Sequence, residues 1–220
     1  SNVLVPKSIS DELIAELETA GAYVCTGTET AALRNALFTD GHLRRDLVGQ
    51  SVASIAAAAG LSREAQAASL LVPVVDRVGE EEPLSGEKLS PVVTLHELDA
   101  IEAAGHVANR ILRYEGRGHS CVVYTSESDR AVKIGEQVEV CRVGVNQSSM
   151  ALAASFQNGI RATYSLGGGT WAGNQLDENL SYEQFITSTR VFRPIDRSDP
   201  SDRALFDLAP EGSLASVSDD

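Results

Sequence analysis

The chain has no long apolar run. None approaches the roughly 18–20 consecutive residues a membrane-spanning helix needs, and the N-terminus lacks a basic stretch followed by an apolar one. Cysteine is scarce and badly spaced for bonding. Cys25, Cys121 and Cys141 are odd in number and far apart, with no Cys-x-x-Cys, which argues against a disulfide framework or a zinc site. Positive charge is also short, with 18 basic against 31 acidic residues, a formal charge of −13. A field of that sign repels phosphate backbones and anionic lipid, so neither nucleic acid nor a membrane surface is an expected partner. No internal repeat is visible. Reduced thiols and the missing leader pattern point to a soluble protein of a reducing cytoplasm.

What is present suits a folded domain. The 220 residues are 43% hydrophobic and 22% charged, enough for one large domain with an arm. Asn2–Val5 reads as a strand, followed by a helix capped by Ser8 or Ser10, bearing Leu13, Ile14 and Leu17 and stopped by Gly21. Ala22–Cys25 reads as a strand, Thr30–Phe38 as a helix ending at Asp40-Gly41, and Ser51 as the cap of an alanine-rich helix closing at Gly60.

Leu70–Val75 is a continuous apolar run, as in strands buried on both faces. The acidic turn Gly79–Pro83 leads to a strand at Pro91–Leu95. Asp99 is placed to cap the longest helix, which ends at Gly116. Strand His119–Thr125, helix Ser128–Gln137 and strand Val140–Val145 complete a β-α-β-α-β alternation. That order predicts an α/β fold with a mostly parallel sheet and helices on both faces. Asn146–Asn174 is a long polar stretch, and Ser188–Pro194 is expected to be a last strand. Residues 196–220 read as an acidic, mobile tail with an anchor at Leu205-Phe206.

Several groups carry candidate chemistry. Gly167-Gly168-Gly169-Thr170-Trp171-Ala172-Gly173 fails as a phosphate loop because Asn174-Gln175 follows it instead of Lys-Ser/Thr, and its plain reading is a tight loop where backbone meets backbone. His119, at a strand start, suits proton transfer; the plain alternative is a structural histidine. Cys121, two residues on, shares its strand face, but the valines after it favour an inert buried thiol. Glu87, just before a strand, is placed to accept hydrogen bonds from ribose hydroxyls, whereas the glutamates 80–82 read as a solvated turn.

Five segments together resemble the CoA-acylating aldehyde dehydrogenases: Val78–Leu84, Glu87–Val92, Gly116–Cys121, Val143–Asn146 and Ser165–Asn174 with Glu178-Asn179. They occur in the family's order between about residue 1 and residue 194. The resemblance implies the catalytic-domain type of that fold over 1–195, with an oligomerisation strand near 187–194. It implies oxidation of an aldehyde with NAD or NADP and transfer of the acyl group to coenzyme A through a cysteine thioester.

On this resemblance, Glu87 matches the residue that holds the nicotinamide ribose. His119, 32 residues later (119 − 87), matches the active-site histidine. Asn146, Arg161, Gly167 and Gly168 match the substrate pocket, and no metal site is implied. The family's nucleophilic cysteine falls about four residues before the position of Ser1, with the cofactor half before that, so the isolated chain is expected to be inactive. Cysteine is common in the family where this chain has Gly168, and glycine where it has Ala172.

The segments Asn158–Ile160, Thr189–Pro194 and Leu205-Phe206 resemble sulfoacetaldehyde-type members most, where Arg161 would meet a sulfonate. Acetaldehyde and propionaldehyde are the alternatives. A homo-oligomer is implied, in the cytoplasm or a bacterial microcompartment. A free-standing, non-enzymatic α/β binding or assembly module is the rival reading.

Overall fold

The computed structural model describes residues 1–196 and 200–201, in two units, Ser1–Gln184 and Phe185–Asp220. In the first unit, strand β1 (Asn2–Pro6) leads into helix α1 (Lys7–Thr19) and strand β2 (Ala22–Cys25). Helix α2 (Gly27–Leu37) follows, then the short hairpin β3 (Phe38–Thr39) and β4 (His42–Leu43), turning at Asp40-Gly41. Helices α3 (Val52–Ala58) and α4 (Arg63–Ala67) precede strand β5 (Leu70–Pro73). Strand β6 (Thr94–Leu98), helix α5 (Ala104–Tyr114), strand β7 (Gly118–Val123), helix α6 (Ser128–Gln137) and strand β8 (Val140–Val145) complete the order.

Every ladder except the hairpin is parallel: β1 with β6, β2 with β5, and β7 with β8. Isolated bridges Leu71–Val92 and Val74–Leu95 join the first two pairs in the order β2-β5-β6-β1. Successive strand residues point to opposite faces, so the neighbours Leu71 and Val72 feed two cores. Leu71 packs with Leu33, Leu37, Val52 and Ile55 of α2 and α3. Val72 packs with Val5 and Leu95 against Leu13, Ile14 and Leu17 of α1. Helices therefore cover both faces, as the alternation predicted.

Local signals hold unevenly. Ser51 caps α3 through the Ser54 N–H, and α6 and β8 keep their predicted bounds. Helix α2 starts earlier than expected because Thr26 and Glu29 form a reciprocal capping box. Neither Ser8 nor Ser10 caps α1. The helix starts directly after extended Pro6, which leaves Ser10 inside it and buried. Asp99 does not cap α5, because Lys7 of α1 takes its carboxylate at 2.6 Å and a single tight turn at Ile101–Ala103 opens the helix. At 13 residues, α1 is longer than α5 at 11.

Residues 188–194, expected as an oligomerisation strand, pair with no other strand among the described residues of this single chain. Val191 and Phe192 there are exposed. The expected anchor at Leu205-Phe206 lies outside the described residues. Among the described residues, no helix is long and apolar enough to cross a membrane.

Candidate functional site

The segment joining β5 to β6 is built on buried charge. Glu82 accepts from Arg34 Nε at 2.8 Å and from Nη2 more closely still, and it caps the following turn through the Leu84 N–H at 3.1 Å. Lys88 is fully buried and donates to the carbonyls of Leu84 at 2.6 Å and Gly86 at 2.8 Å. Burial pulls its ammonium down to about 8, against the opposing pull of Glu115, Glu82 and Glu87. With Lys88 turned inward, Glu87 is left exposed.

The same segment is pressed onto the end of α5. The Glu87 N–H donates to Glu115 Oε2, and a Cβ at Gly86 would stand 2.6 Å from that oxygen and 2.9 Å from Tyr114 Cε1. Glu115 lies four positions before His119, so one hydrogen bond ties the Glu87 turn to the loop that opens β7. Beneath it, Asn2 donates to Ser85 O at 2.8 Å and meets His96 Nε2 at 3.1 Å. Burial, reinforced by Lys88, takes buried His96 down to about 4, so it is a neutral packing group.

His119 is exposed at the start of β7, with Nδ1 2.8 Å from Ser120 Oγ. The glycine loop lies against that strand start. Gly118 has φ +85°, and a Cβ on it would fall 2.3 Å from Gly168 O. A Cβ on Gly167 would fall 1.9 Å from Leu176 O. Both positions therefore need glycine for close backbone approach. The loop is closed on itself by Gly167 N–H to Glu178 O at 3.0 Å and Gly169 N–H to Leu176 O at 2.8 Å.

Two arginines join loop and strand. Arg117 stacks over Trp171 at 5.2 Å while bonding Glu139, whose carboxyl is held low chiefly by Arg113, with Arg117 helping. Arg142 of β8 donates from Nη2 to His119 O at 3.1 Å and to Gly167 O at 2.7 Å. A cavity of about 270 Å³ opens beside the loop, lined by Cys141, Gly169, Trp171 and Asp177 among others.

The other two expected pocket residues, Asn146 and Arg161, each have their own partners. Asn146 follows β8 with φ +50°, its side chain bonding both the N–H (2.9 Å) and the carbonyl (2.8 Å) of Thr125. That is the opposite end of the β7–β8 pair from His119, about 15–20 Å along the strands at the usual rise per residue. Arg161 is held by Glu183 at 2.7 Å and Ser181 Oγ at 2.5 Å, so its guanidinium already has an anion.

The structure thus unites His119, Gly167 and Gly168 and links Glu87 to them through Glu115. It does not bring Asn146 to them. Lys88 and Arg142 escaped the sequence reading. A charged residue within an apolar strand, as in Val140-Cys141-Arg142-Val143, was the available signal for the second.

Burial pushes Cys25 up to about 12 and Cys121 up to about 11. Among the described residues, no cluster of three or more His, Cys, Asp or Glu side chains is set to hold a metal ion.

No family model matches the sequence. A sulfoacetaldehyde dehydrogenase (acylating) of Cupriavidus necator is 35% identical over 209 residues, 94% of this chain and 42% of the relative. A succinate-semialdehyde dehydrogenase (acetylating) of Clostridium kluyveri is 31% identical over 191 residues, 86% of this chain and 42% of the relative. The crystal structure of an acetylating aldehyde dehydrogenase from Geobacillus thermoglucosidasius superposes with TM-score 0.81 at 26% identity, covering 91% of this chain and 44% of that one. The chain spans about two-fifths of the length of these two curated relatives.

Proposed function

Because the chain is homologous to one stretch, about 42%, of acylating aldehyde dehydrogenases, we propose that it is a catalytic-domain portion of such an oxidoreductase. The reaction is aldehyde plus CoA plus NAD or NADP giving acyl-CoA and the reduced nicotinamide. The observation that carries this reading is identity of 35% running through 209 residues, which takes in Glu87, His119 and the glycine loop together. The non-enzymatic module is not favoured.

NAD or NADP supplies the hydride acceptor when bound, and the chain's own residues hold and orient. Glu87, turned outward by the burial of Lys88, accepts hydrogen bonds from the nicotinamide ribose. His119, at the mouth of the glycine loop, takes the proton from a thiohemiacetal hydroxyl or from the CoA thiol. Gly167 and Gly168 keep the loop folded tightly beside the His119 strand as a wall of the substrate pocket, and Asn146 shapes a more distant part of it. Because none of Cys25, Cys121 and Cys141 takes the place of the family's nucleophile by motif, the 220-residue chain alone does not turn over. Residues 187–194 form their strand only against a second copy, which gives the exposed Val191 and Phe192 a partner surface.

Sulfoacetaldehyde is the substrate we favour, with Arg161 facing the sulfonate once Glu183 gives way. The test is production of reduced nicotinamide and acyl-CoA by the native polypeptide that carries these residues, with sulfoacetaldehyde, acetaldehyde and propionaldehyde compared. CoA-dependent turnover that His119→Asn lowers by about a hundredfold or more supports the reading. Steady turnover by the pure 220-residue chain, or full activity of the His119→Asn enzyme, overturns it.

A further inference from the structure

Arg142 is costly where it stands. It is 8% exposed, and among the described residues no carboxylate is bonded to it and its Nε and Nη1 have no hydrogen-bond partner. Taking a cation out of water without a counter-ion costs several kcal/mol, and an apolar side chain of similar volume in such a place is often neutral or stabilising. Packing alone therefore does not account for an arginine here. What it does that an apolar residue could not is bond two carbonyls from distant segments, His119 O and Gly167 O. Those segments already approach to backbone contact at Gly118 and Gly168.

We propose that Arg142 is the positioning residue of the candidate site, a buried clamp that fixes the His119 end of β7 against the glycine loop. The clamp does not touch substrate. It rests on the reading of His119 as the proton-transfer group, because only then does fixing the strand against the loop matter to chemistry. Its two carbonyls belong to the two segments whose register sets where the imidazole stands relative to the loop. Nη2 serves both, so the loss of one nitrogen frees both segments together.

The test separates the clamp from that reading. In the 220-residue chain, Arg142→Met is expected to keep or raise the unfolding free energy while amide exchange at Gly167 and Gly169 accelerates about tenfold or more. That is the scale of one lost hydrogen bond to a charged donor. Exchange in α2 and α3 should not change. Arg142→Lys, which keeps the charge on a single nitrogen, should restore part of the protection and guards against a Met variant that does not fold. In the native enzyme, Arg142→Met should lower kcat about tenfold to a hundredfold with little change in KM for the nicotinamide, and shift the pH-rate limb that His119→Asn removes.

Unchanged exchange at Gly167 and Gly169 overturns the clamp. So does a loss of global stability that matches the loss of activity, since that is the signature of a merely structural arginine. If the loop loosens as expected but His119→Asn leaves turnover intact, the clamp stands and the catalytic reading of His119 falls.

Discussion

Gly118→Ala is the sharpest test of how the site is assembled, because its cost separates into two parts. Gly118 has φ +85°, where an L residue is strained by about 1–2 kcal/mol. Alanine recovers about 0.4–1 kcal/mol by narrowing the unfolded ensemble, so conformation alone leaves about 1 kcal/mol of destabilisation. The second part is contact. The new Cβ would stand 2.3 Å from Gly168 O, 0.7 Å inside the 3.0 Å that real Cβ atoms essentially never breach. Neither side yields cheaply, since the neighbour is backbone, Gly167 is held by Arg142 and by Glu178, and β7 is laddered to β8. Overpacking of this kind costs about 1–3 kcal/mol.

Gly116→Ala is the matched control. It has φ +98° two residues earlier, and a Cβ there meets nothing within 4 Å. The expected result is about 3 kcal/mol lost for Gly118→Ala against about 1 kcal/mol for Gly116→Ala, read as urea midpoints at unchanged m. For a domain of this size the 2 kcal/mol excess is about 4–8 °C in Tm. Equal losses within about 0.5 kcal/mol, the scatter expected for independent sites, would refute the close approach of strand and loop.

Two further outcomes follow from buried charge. His96 is held at about 4 instead of 6.5, so between those values the unfolded chain binds a proton that the folded chain refuses. Stability therefore falls as pH drops from 6.5 to 4, by up to about 3 kcal/mol, and His96→Gln should flatten that limb in pH-dependent urea melts; an unchanged slope counts against the burial of this imidazole. Glu82→Gln should cost about 3 kcal/mol, the low end for a broken buried pair because Arg34 is 31% exposed, and a double-mutant cycle with Arg34→Met should show coupling above about 1 kcal/mol. Additive single losses would mean that the pair contributes nothing of its own.

The parts of the fold legible in the sequence are those encoded within one turn or one strand. Leu70–Val75 announced a strand covered on both faces because its neighbours Leu71 and Val72 do serve different cores. Ser51 announced a helix start because a cap is a bond over three residues. What failed was decided at long range. Asp99 reads as a cap until Lys7, 92 positions away, claims it.

The candidate site divides the same way. Glu87 and His119 could be picked out because a carboxylate before a strand and a histidine at a strand start are local patterns. Nothing in the local sequence sets Lys88, beside Glu87, apart from a surface lysine. Its burial follows from where the Leu84 and Gly86 carbonyls are turned, which no window of sequence states. Gly118 and Gly168 are the extreme case. Fifty positions apart (168 − 118), each reads alone as a turn glycine, yet they are one contact, in which a single added carbon on Gly118 would collide with the carbonyl of Gly168. A glycine required by a distant backbone and a glycine required by its own φ look identical in one sequence, and Gly116 beside Gly118 shows how near the two kinds can lie. The distinction appears only when the loop is laid on the strand. Arg142, bonded to carbonyls on both sides of that contact, then has a reason to be an arginine.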